Sequence, residues 1–513
     1  MIDTSKQIKI GSLLSYIQMF AGILVGVVYT PIMVRTLGQS EYGLYQTVAS
    51  TMSMLSILSL GFNSGYIRYY AKYKKENDFE SIYRLNGLFL LIFLFIGFIA
   101  LLCGLFLTFN LELVFDRGLS REEYKIAAIL MVLSTINLSI SFPMSVFGNI
   151  ISAHEKFIIQ KSIGIIKTVI GPMVILPLLL LGYKSIAMVT VSVIINLFAD
   201  IWYFVIVVVQ LKQRFIFHGF EKGLVSSLGG YTIFIAINMV VDQINWNIDK
   251  ILLARFKGTI QVAVYSVGYS LYNYYMQFAT SISSIFTPRI HNIYNSNKGN
   301  AEKLRKEFSS LFIKVGRIQF LILALIATGL SLWGKVFIAF WVGGGYEASY
   351  YVALLLVVPA SIALIQNCGI EIQRALNKHK FRSLAYAIMA IINLVISIIL
   401  CQLYGAIGSA AGTAISLIVA NGIVMNIYYY RYCYINIPLF WKNILSQVKG
   451  LWIPVVVGIC EVHFFLPENV AIMIFEILIY TIVYAISMWN LGLNSFEKEL
   501  IKSAFIKVRK TRA

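Results

Sequence analysis

Apolar residues run through this chain in fourteen long stretches separated by short polar gaps. They lie near residues 10–34, 44–70, 86–109, 126–150, 158–181, 186–209, 224–248, 260–286, 309–334, 350–373, 384–404, 407–430, 450–466 and 469–490. A bilayer's hydrocarbon core takes about 17–25 apolar residues per helix. The pattern therefore predicts an all-α polytopic membrane protein with about fourteen transmembrane helices. The gaps are too short for a domain to fold outside the bilayer.

Charge alternates from gap to gap. With the N-terminus and every second gap on one side, that side holds 32 of the 42 Lys and Arg residues. The other side holds nine, and Lys167 lies inside a segment. The positive-inside rule then puts 68–84, 154–161, 212–222, 289–317, 374–382, 431–449 and the tail from Lys498 in the cytoplasm. The outer gaps are 35–41, 112–125, 183–185, 249–257, 343–349, 404–406 and 467–468. Both termini are expected in the cytoplasm, which requires an even helix number. Fourteen fits, and twelve fits if 450–490 is misread. Lys6 and Lys9 precede an apolar run longer than a signal-peptide core, with no small-x-small site after it, so 10–34 reads as the first helix.

Composition agrees: 59% of residues are hydrophobic and 13% charged, far from soluble usage. The net charge of +19 is topogenic in its distribution, whereas a nucleic-acid binder presents a folded basic face. No nucleic-acid partner is expected. The five cysteines have no ligand spacing and read as packing residues. The chain has no P-loop, nucleophile elbow, zinc-protease helix or Asp-x-Asp pair, and four of its five histidines fall in cytoplasmic gaps. No cofactor, metal or enzymatic activity is expected, and transport would run on an ion gradient, the membrane potential or the substrate's own gradient.

A repeat organises the chain. Arg35, Gly38 and Tyr45, between the first two segments, recur 220 residues later as Arg255, Gly258 and Tyr265, between the seventh and eighth. Six segments per block preserve orientation, so the repeat is parallel. The expected domains are a six-helix bundle at 1–215, its pseudo-symmetric partner at 216–435, and an appendage at 436–513 of two further helices and a basic tail. The gap before the ninth segment reads as a surface linker plus a short amphipathic helix from Ala301. The tail from Phe496 reads as a helix on the anionic inner leaflet, or as a solvated basic flank.

Polar groups inside the segments are the candidate functional residues, because a mid-membrane charge costs about 2.5–3.5 kcal/mol and must face protein or water. Asn238, Asp242, Asn245 and Asp249 share one face of the seventh segment. They line a hydrated cavity or form a structural hydrogen-bond seam. Asn367, Glu371 and Arg374 repeat that spacing in the tenth, where the last two can pair with each other. Asn196 and Asp200 share a face of the sixth, and Lys167 stands in the fifth. Arg68 and Arg317 approach the inner interface. Glu476 reads as isolated, outside the twelve-helix core.

The runs Ile10-Gly-Ser-Leu-Leu-Ser-Tyr, Pro31-Ile-Met-Val-Arg-Thr-Leu-Gly-Gln-Ser-Glu-Tyr-Gly-Leu-Tyr45 and Leu60-Gly-Phe-Asn-Ser-Gly-Tyr-Ile-Arg-Tyr-Tyr70 resemble the polysaccharide-transporter or Wzx-type oligosaccharide flippases. These belong to the multidrug/oligosaccharidyl-lipid/polysaccharide (MOP) exporter superfamily. The resemblance implies two six-helix bundles around a central cavity, working by alternating access in the bacterial cytoplasmic (inner) membrane. It implies a polyprenyl-diphosphate-linked oligosaccharide as substrate, with membrane lipids, a polymerase and other glycan-assembly proteins as candidate partners. It carries over no catalytic residue. Lys167, Arg68 and Arg317 are then the candidate cations for a diphosphate. Asp200, Asn238, Asp242, Asn245, Asp249, Asn367 and Glu371 are the candidate ion-coupling or cavity-lining groups. The competing readings are a drug or small-cation exporter of the same superfamily, and a membrane enzyme or scaffold of glycan assembly.

Overall fold

A computed structural model describes residues 4–115, 119–221, 223–465 and 467–511, and every regular element among them is helical. Ten helical stretches are long and apolar enough to cross a membrane. Two of them, Ile10–Lys75 and Lys380–Tyr432, are long enough to cross twice. The first includes helix α1 (Thr4–Leu55), whose backbone breaks at Gly38. The second includes most of α13 (His379–Leu417), which breaks at Gly405. Helices α7 (Leu224–Phe256) and α8 (Thr259–Ser284) have crossing length as well. Apart from the segments in α7 and α8, each apolar segment of the sequence lies wholly or largely in one of these ten stretches. The spans are flanked at one end by the Lys- and Arg-rich gaps, here called the basic end.

The chain forms two compact units. The first runs to Ser266 and adds Leu394–Ser409, and the second holds Val267–Asn393 and the chain from Ala410. Besides α1 and α7, the first unit contains α2 (Phe62–Lys75), α3 (Phe79–Phe109), α4 (Arg121–Ala153), α5 (Phe157–Leu180) and α6 (Lys184–Val205). α3 shows how these helices are placed. Phe89, Phe93, Ile96 and Ala100 are buried on one face, against Tyr66, Phe142 and Val146. Leu91, Phe95, Phe98, Leu102 and Phe106 are exposed at spacings of three and four. An exposed apolar stripe of this kind suits a helix whose other side meets lipid.

The repeat read in the sequence recurs in the backbone. Gly38 (φ 74°) and Gly258 (φ 82°) both take the left-handed conformation that other residues rarely adopt. Three residues after Gly38, Glu41 accepts hydrogen bonds from Ser185 N at 3.0 Å and Ser185 Oγ at 2.6 Å, at the start of α6. Three residues after Gly258, Gln261 accepts from Ala406 N at 3.0 Å, just past the Gly405 break in α13. Each turn thus caps the beginning of another helix, where the backbone N–H groups have no partner within their own helix. α6 ends in a π-helical turn at Ile206–Gln210, and α13 runs into another at Ile418–Val424.

The connection after α6 is an extended strap fastened to the basic end of the first unit. Ile216 N donates to Tyr83 O at 3.0 Å, Asn86 Nδ2 to Arg214 O at 3.1 Å, and Tyr73 Oη to Glu221 Oε2 at 2.6 Å. His154, the residue that ends α4, is locked nearby. Its Nδ1 lies 2.9 Å from Ile150 O and its Nε2 3.0 Å from Tyr70 Oη. A neutral imidazole satisfies both contacts, and burial holds the His154 pKa below its ordinary value. A depressed histidine pKa gives a stability contribution that is complete above about pH 6.5 and is lost as pH falls through the folded value. Thermal scans of the purified protein should therefore show stability falling as pH drops below about 6.5. His154→Gln should flatten that slope, and an unchanged slope in the variant would refute the assignment.

The second unit contains most of α8, with α9 (Thr287–Ser296), α10 (Ala301–Val342), α11 (Glu347–Ile365), α12 (Cys368–Ala375), both ends of α13, α14 (Met425–Tyr432), α15 (Ile437–Val448), α16 (Trp452–Phe464), α17 (Val470–Ser487) and α18 (Ser495–Thr511). The short helix expected from Ala301 is the first part of α10. Asn300 caps it through Lys303 N, and it runs unbroken for 42 residues. At 1.5 Å per residue that is about 63 Å, roughly twice the hydrocarbon thickness, so α10 projects well beyond the membrane.

Candidate functional site

Two of the candidate charged groups in the first unit are Lys167 on α5 and Asp200 on α6. α5 and α6 pack together, both side chains are half-buried, and the two charges act on each other. Lys167 stands ten residues from the start of α5 at the basic end, and Asp200 ten residues from Gln210. Both are thus about 15 Å deep, close to the middle of a hydrocarbon core about 30 Å thick. Asn196, one turn from Asp200, reaches Asn137 of α4 at 3.5 Å. Asn149 of α4 donates to Asn63 of α2 at 2.7 Å.

Arg68 belongs to the same unit and is exposed on α2. The Leu60-Gly61 pair ahead of it is left-handed at both residues, with φ 45° and 72°, and separates α2 from the end of α1. That Leu-Gly is part of the pattern noted in the sequence, and it serves as a helix break.

Arg317 lies elsewhere. It is 3% exposed in the second unit, and all five of its donors are engaged. Nε and Nη2 hold Glu497 of α18 at 2.5 and 2.8 Å, Nη1 reaches Asn443 O and Ser446 Oγ, and Nη2 also reaches Gly492 O. An arginine has five N–H groups and no more, so Arg317 offers none to a ligand here. Of the three candidate cations, Lys167 and Arg68 thus lie in the first unit and Arg317 in the second, where its donors bind groups of that unit.

The polar face of α7 divides. Asp249 is 1% exposed and accepts from Tyr265 Oη at 2.8 Å and Ser409 Oγ at 2.7 Å. Asn238 and Asn245 are half-buried, and Asp242 is exposed. A second polar stripe on α7, Gln243, Asn247 and Lys250, escaped the sequence reading although it has the same four-and-three spacing. Gln243 and Asn247 bond to each other at 2.6 Å and to Ser53 at 3.1 and 3.3 Å, and Lys250 reaches Gln46 at 3.3 Å. A hydrogen-bonded seam thus joins α7 to the latter half of α1. In the second unit Asn367 donates to Ser283 at 2.7 Å, and Glu371 pairs with Arg374 at 2.6 Å. Asn367 sits at the break between α11 and α12.

In chemical terms, the first unit offers an ammonium on α5 and a carboxylate on α6 at mid-membrane depth, and the two charges attract each other. Among the described residues no cluster of three His, Cys, Asp or Glu side chains can hold a metal.

The family profile described as "Polysaccharide biosynthesis protein" matches residues 10–294. The chain belongs to that family. No curated protein matches its sequence. Among solved structures, a lipid II flippase, MurJ, in an inward closed conformation superimposes with a TM-score of 0.72 at 17% identity, covering 96% of this chain and 99% of that one. An inward-facing multidrug resistance MATE family transporter of the MOP superfamily gives 0.62 at 12% identity over 83% and 99%. The MATE multidrug transporter DinF-BH gives 0.56 at 16% over 84% and 96%. This member of the polysaccharide biosynthesis family therefore has the MOP transporter fold.

Proposed function

We propose that this protein is a flippase that carries polyprenyl-diphosphate-linked oligosaccharide repeat units from the cytoplasmic to the outer leaflet for surface polysaccharide synthesis. The observation that carries the reading is the Lys167–Asp200 pair at mid-membrane depth in a member of the polysaccharide biosynthesis family. A glycan head is rejected by hydrocarbon and needs a polar route, while the polyprenyl tail stays in lipid. The diphosphate needs a cation on that route, and Lys167 is positioned to supply it, with Arg68 nearer the basic end. The basic end is then the cytoplasmic side of a bacterial inner membrane, with both termini there. The protein works by alternating access between two pseudo-symmetric bundles, and the glycosyltransferases and polymerase of the same pathway are its functional neighbours.

The test is deletion of the gene. Complete lipid-linked repeats should accumulate on the cytoplasmic face while surface glycan falls. A drug exporter would leave the glycan intact and sensitise cells to cationic compounds, and a glycosyltransferase would leave truncated lipid-linked sugars. Complete repeats displayed on the outer face of the deletion strain would sink the proposal.

A further inference from the structure

An open cavity of about 570 Å³ lies in the first unit at the end opposite the basic one, and the proposed function does not use it. Its apolar walls come from three helices: Ile126 of α4, Leu178 of α5, and Ile186, Ala187 and Val191 of α6. Glu41 of α1 and Lys184 at the start of α6 line it too, and they form an ion pair at 3.4 Å. The volume falls within the roughly 300–1,000 Å³ usual for small-molecule sites. From Lys184 to Val191 the wall follows α6 for about 10 Å, at about 1.5 Å per residue. The cavity therefore begins at the helix ends, at the level of the membrane interface, and reaches into the hydrocarbon layer. Tyr183, also part of its lining, is exposed at the turn, where an interfacial aromatic is expected.

The fold fixes the charged rim of this cavity. Lys184 has a left-handed backbone, φ 47°, a conformation uncommon for residues other than Gly, Asn and Asp. Hydrogen bonds hold the turn on both sides of it. Tyr183 N donates to Leu178 O at 3.0 Å, and Ser185 donates through N and Oγ to Glu41 Oε1 at 3.0 and 2.6 Å. The other oxygen of Glu41, Oε2, is the one that faces Lys184. An ammonium has three donors and a carboxylate about four acceptor positions, so each charge keeps capacity for a ligand after meeting the other. The Lys184 side chain is 55% exposed and that of Glu41 11%, which puts the cation outermost.

Apolar walls give water nothing to bond to and favour an apolar guest, and wall atoms facing a void forfeit their packing contacts. Within a bilayer, a lipid chain is the guest at hand. The rim then selects the head group. One positive and one negative charge side by side complement a head that carries both. A purely anionic head would meet repulsion from Glu41, and an uncharged head would leave the donors of Lys184 unused. We propose that this cavity binds a zwitterionic phospholipid with a primary amine. One acyl chain lies along Ile186, Ala187 and Val191, the phosphate accepts from Lys184, and the amine donates to Glu41. The lipid belongs to the leaflet opposite the basic end, and its head group bridges the start of α6 to α1 just past the Gly38 break. The inference does not rest on the flippase reading, since it uses neither Lys167 nor Asp200.

Photolabelling of the full-length protein in phosphatidylcholine vesicles tests it, because the quaternary amine of that host lipid has no N–H to donate. The probes are trace phosphatidylethanolamine, phosphatidylglycerol and diacylglycerol, each with the same diazirine-bearing acyl chain. Mass spectrometry should place phosphatidylethanolamine adducts on residues 178–191. They should exceed those of diacylglycerol by about tenfold, the effect of one hydrogen bond to a charged group, and phosphatidylglycerol should also label less. Lys184→Asn removes the ammonium while Asn tolerates the left-handed turn, and it should bring phosphatidylethanolamine down to the diacylglycerol level. Ala187→Leu fills the cavity and should lower labelling there by all three probes. Equal labelling of 178–191 by the three probes in the wild type would overturn the proposal, and so would a preference for phosphatidylglycerol. Displacement of the label by polyprenyl diphosphate but not by unlabelled phosphatidylethanolamine would overturn it too, since it would assign the cavity to a transported lipid. If the variants fail to fold, the wild-type comparison of the three probes still decides.

Discussion

Replacing Arg317 by alanine is expected to cost about 3–5 kcal/mol, the usual penalty for stranding one member of a buried ion pair. The guanidinium ties α10 to the α15 backbone at Asn443, to the backbone at Gly492 after α17 and to Glu497 of α18. Its removal leaves the Glu497 carboxylate, 4% exposed, with the N–H of Asn494 at 2.9 Å as its one hydrogen-bond donor among the described residues. Glu497→Ala should be as severe, because it strands the arginine. The paired change to Arg317→Met with Glu497→Gln should recover much of the loss, since burying neither charge avoids the desolvation penalty. Truncation after Asn494 should match Glu497→Ala in thermal stability measured in detergent. If the truncated protein is as stable as the full chain, the tail is a solvated flank and the clamp carries no weight.

The clamp also shows where sequence reading stops. The spanning segments were legible because hydrocarbon thickness demands a fixed length of apolar residues, and that requirement is written locally. The turns at Gly38 and Gly258 were legible through a repeat. Arg317 was not, because its partner Glu497 lies 180 residues away, and helical periodicity names a face without naming what covers it. Glu476 escaped for the same reason: its hydrogen-bond donor Trp333 comes from another helix, 143 residues away. On α7 the four-and-three spacing puts Asp242 and Asp249 on one face, yet it does not separate a buried acceptor of hydroxyl bonds from an exposed acid. The parallel stripe of Gln243, Asn247 and Lys250 was open to the same counting, but two of its three members carry no charge to mark them.

Neutralising Lys167 is expected to reduce export of lipid-linked glycan by about ten- to hundredfold, the worth of one hydrogen bond to a charged group at about 1.5–3 kcal/mol. Lys167→Gln keeps length and polarity and removes only the charge. Lys167→Arg keeps the charge and should retain most of the export. Asp200 decides between two roles for the lysine, because the two charges act on each other. If the pair merely holds α5 to α6, the double variant Lys167→Gln/Asp200→Asn should recover what the single change loses, since no charge is then left alone. If Lys167 meets the diphosphate, the double variant should export as poorly as Lys167→Gln at equal protein level. Asp200→Asn alone should then bind the lipid-linked diphosphate at least as tightly as the wild type, because the anion no longer competes with a carboxylate. The coupling energy of the cycle, read from surface glycan per molecule of protein in the membrane, separates the outcomes. Recovery in the double variant would remove Lys167 from the substrate path and leave Arg68 as the other candidate cation of the first unit to test.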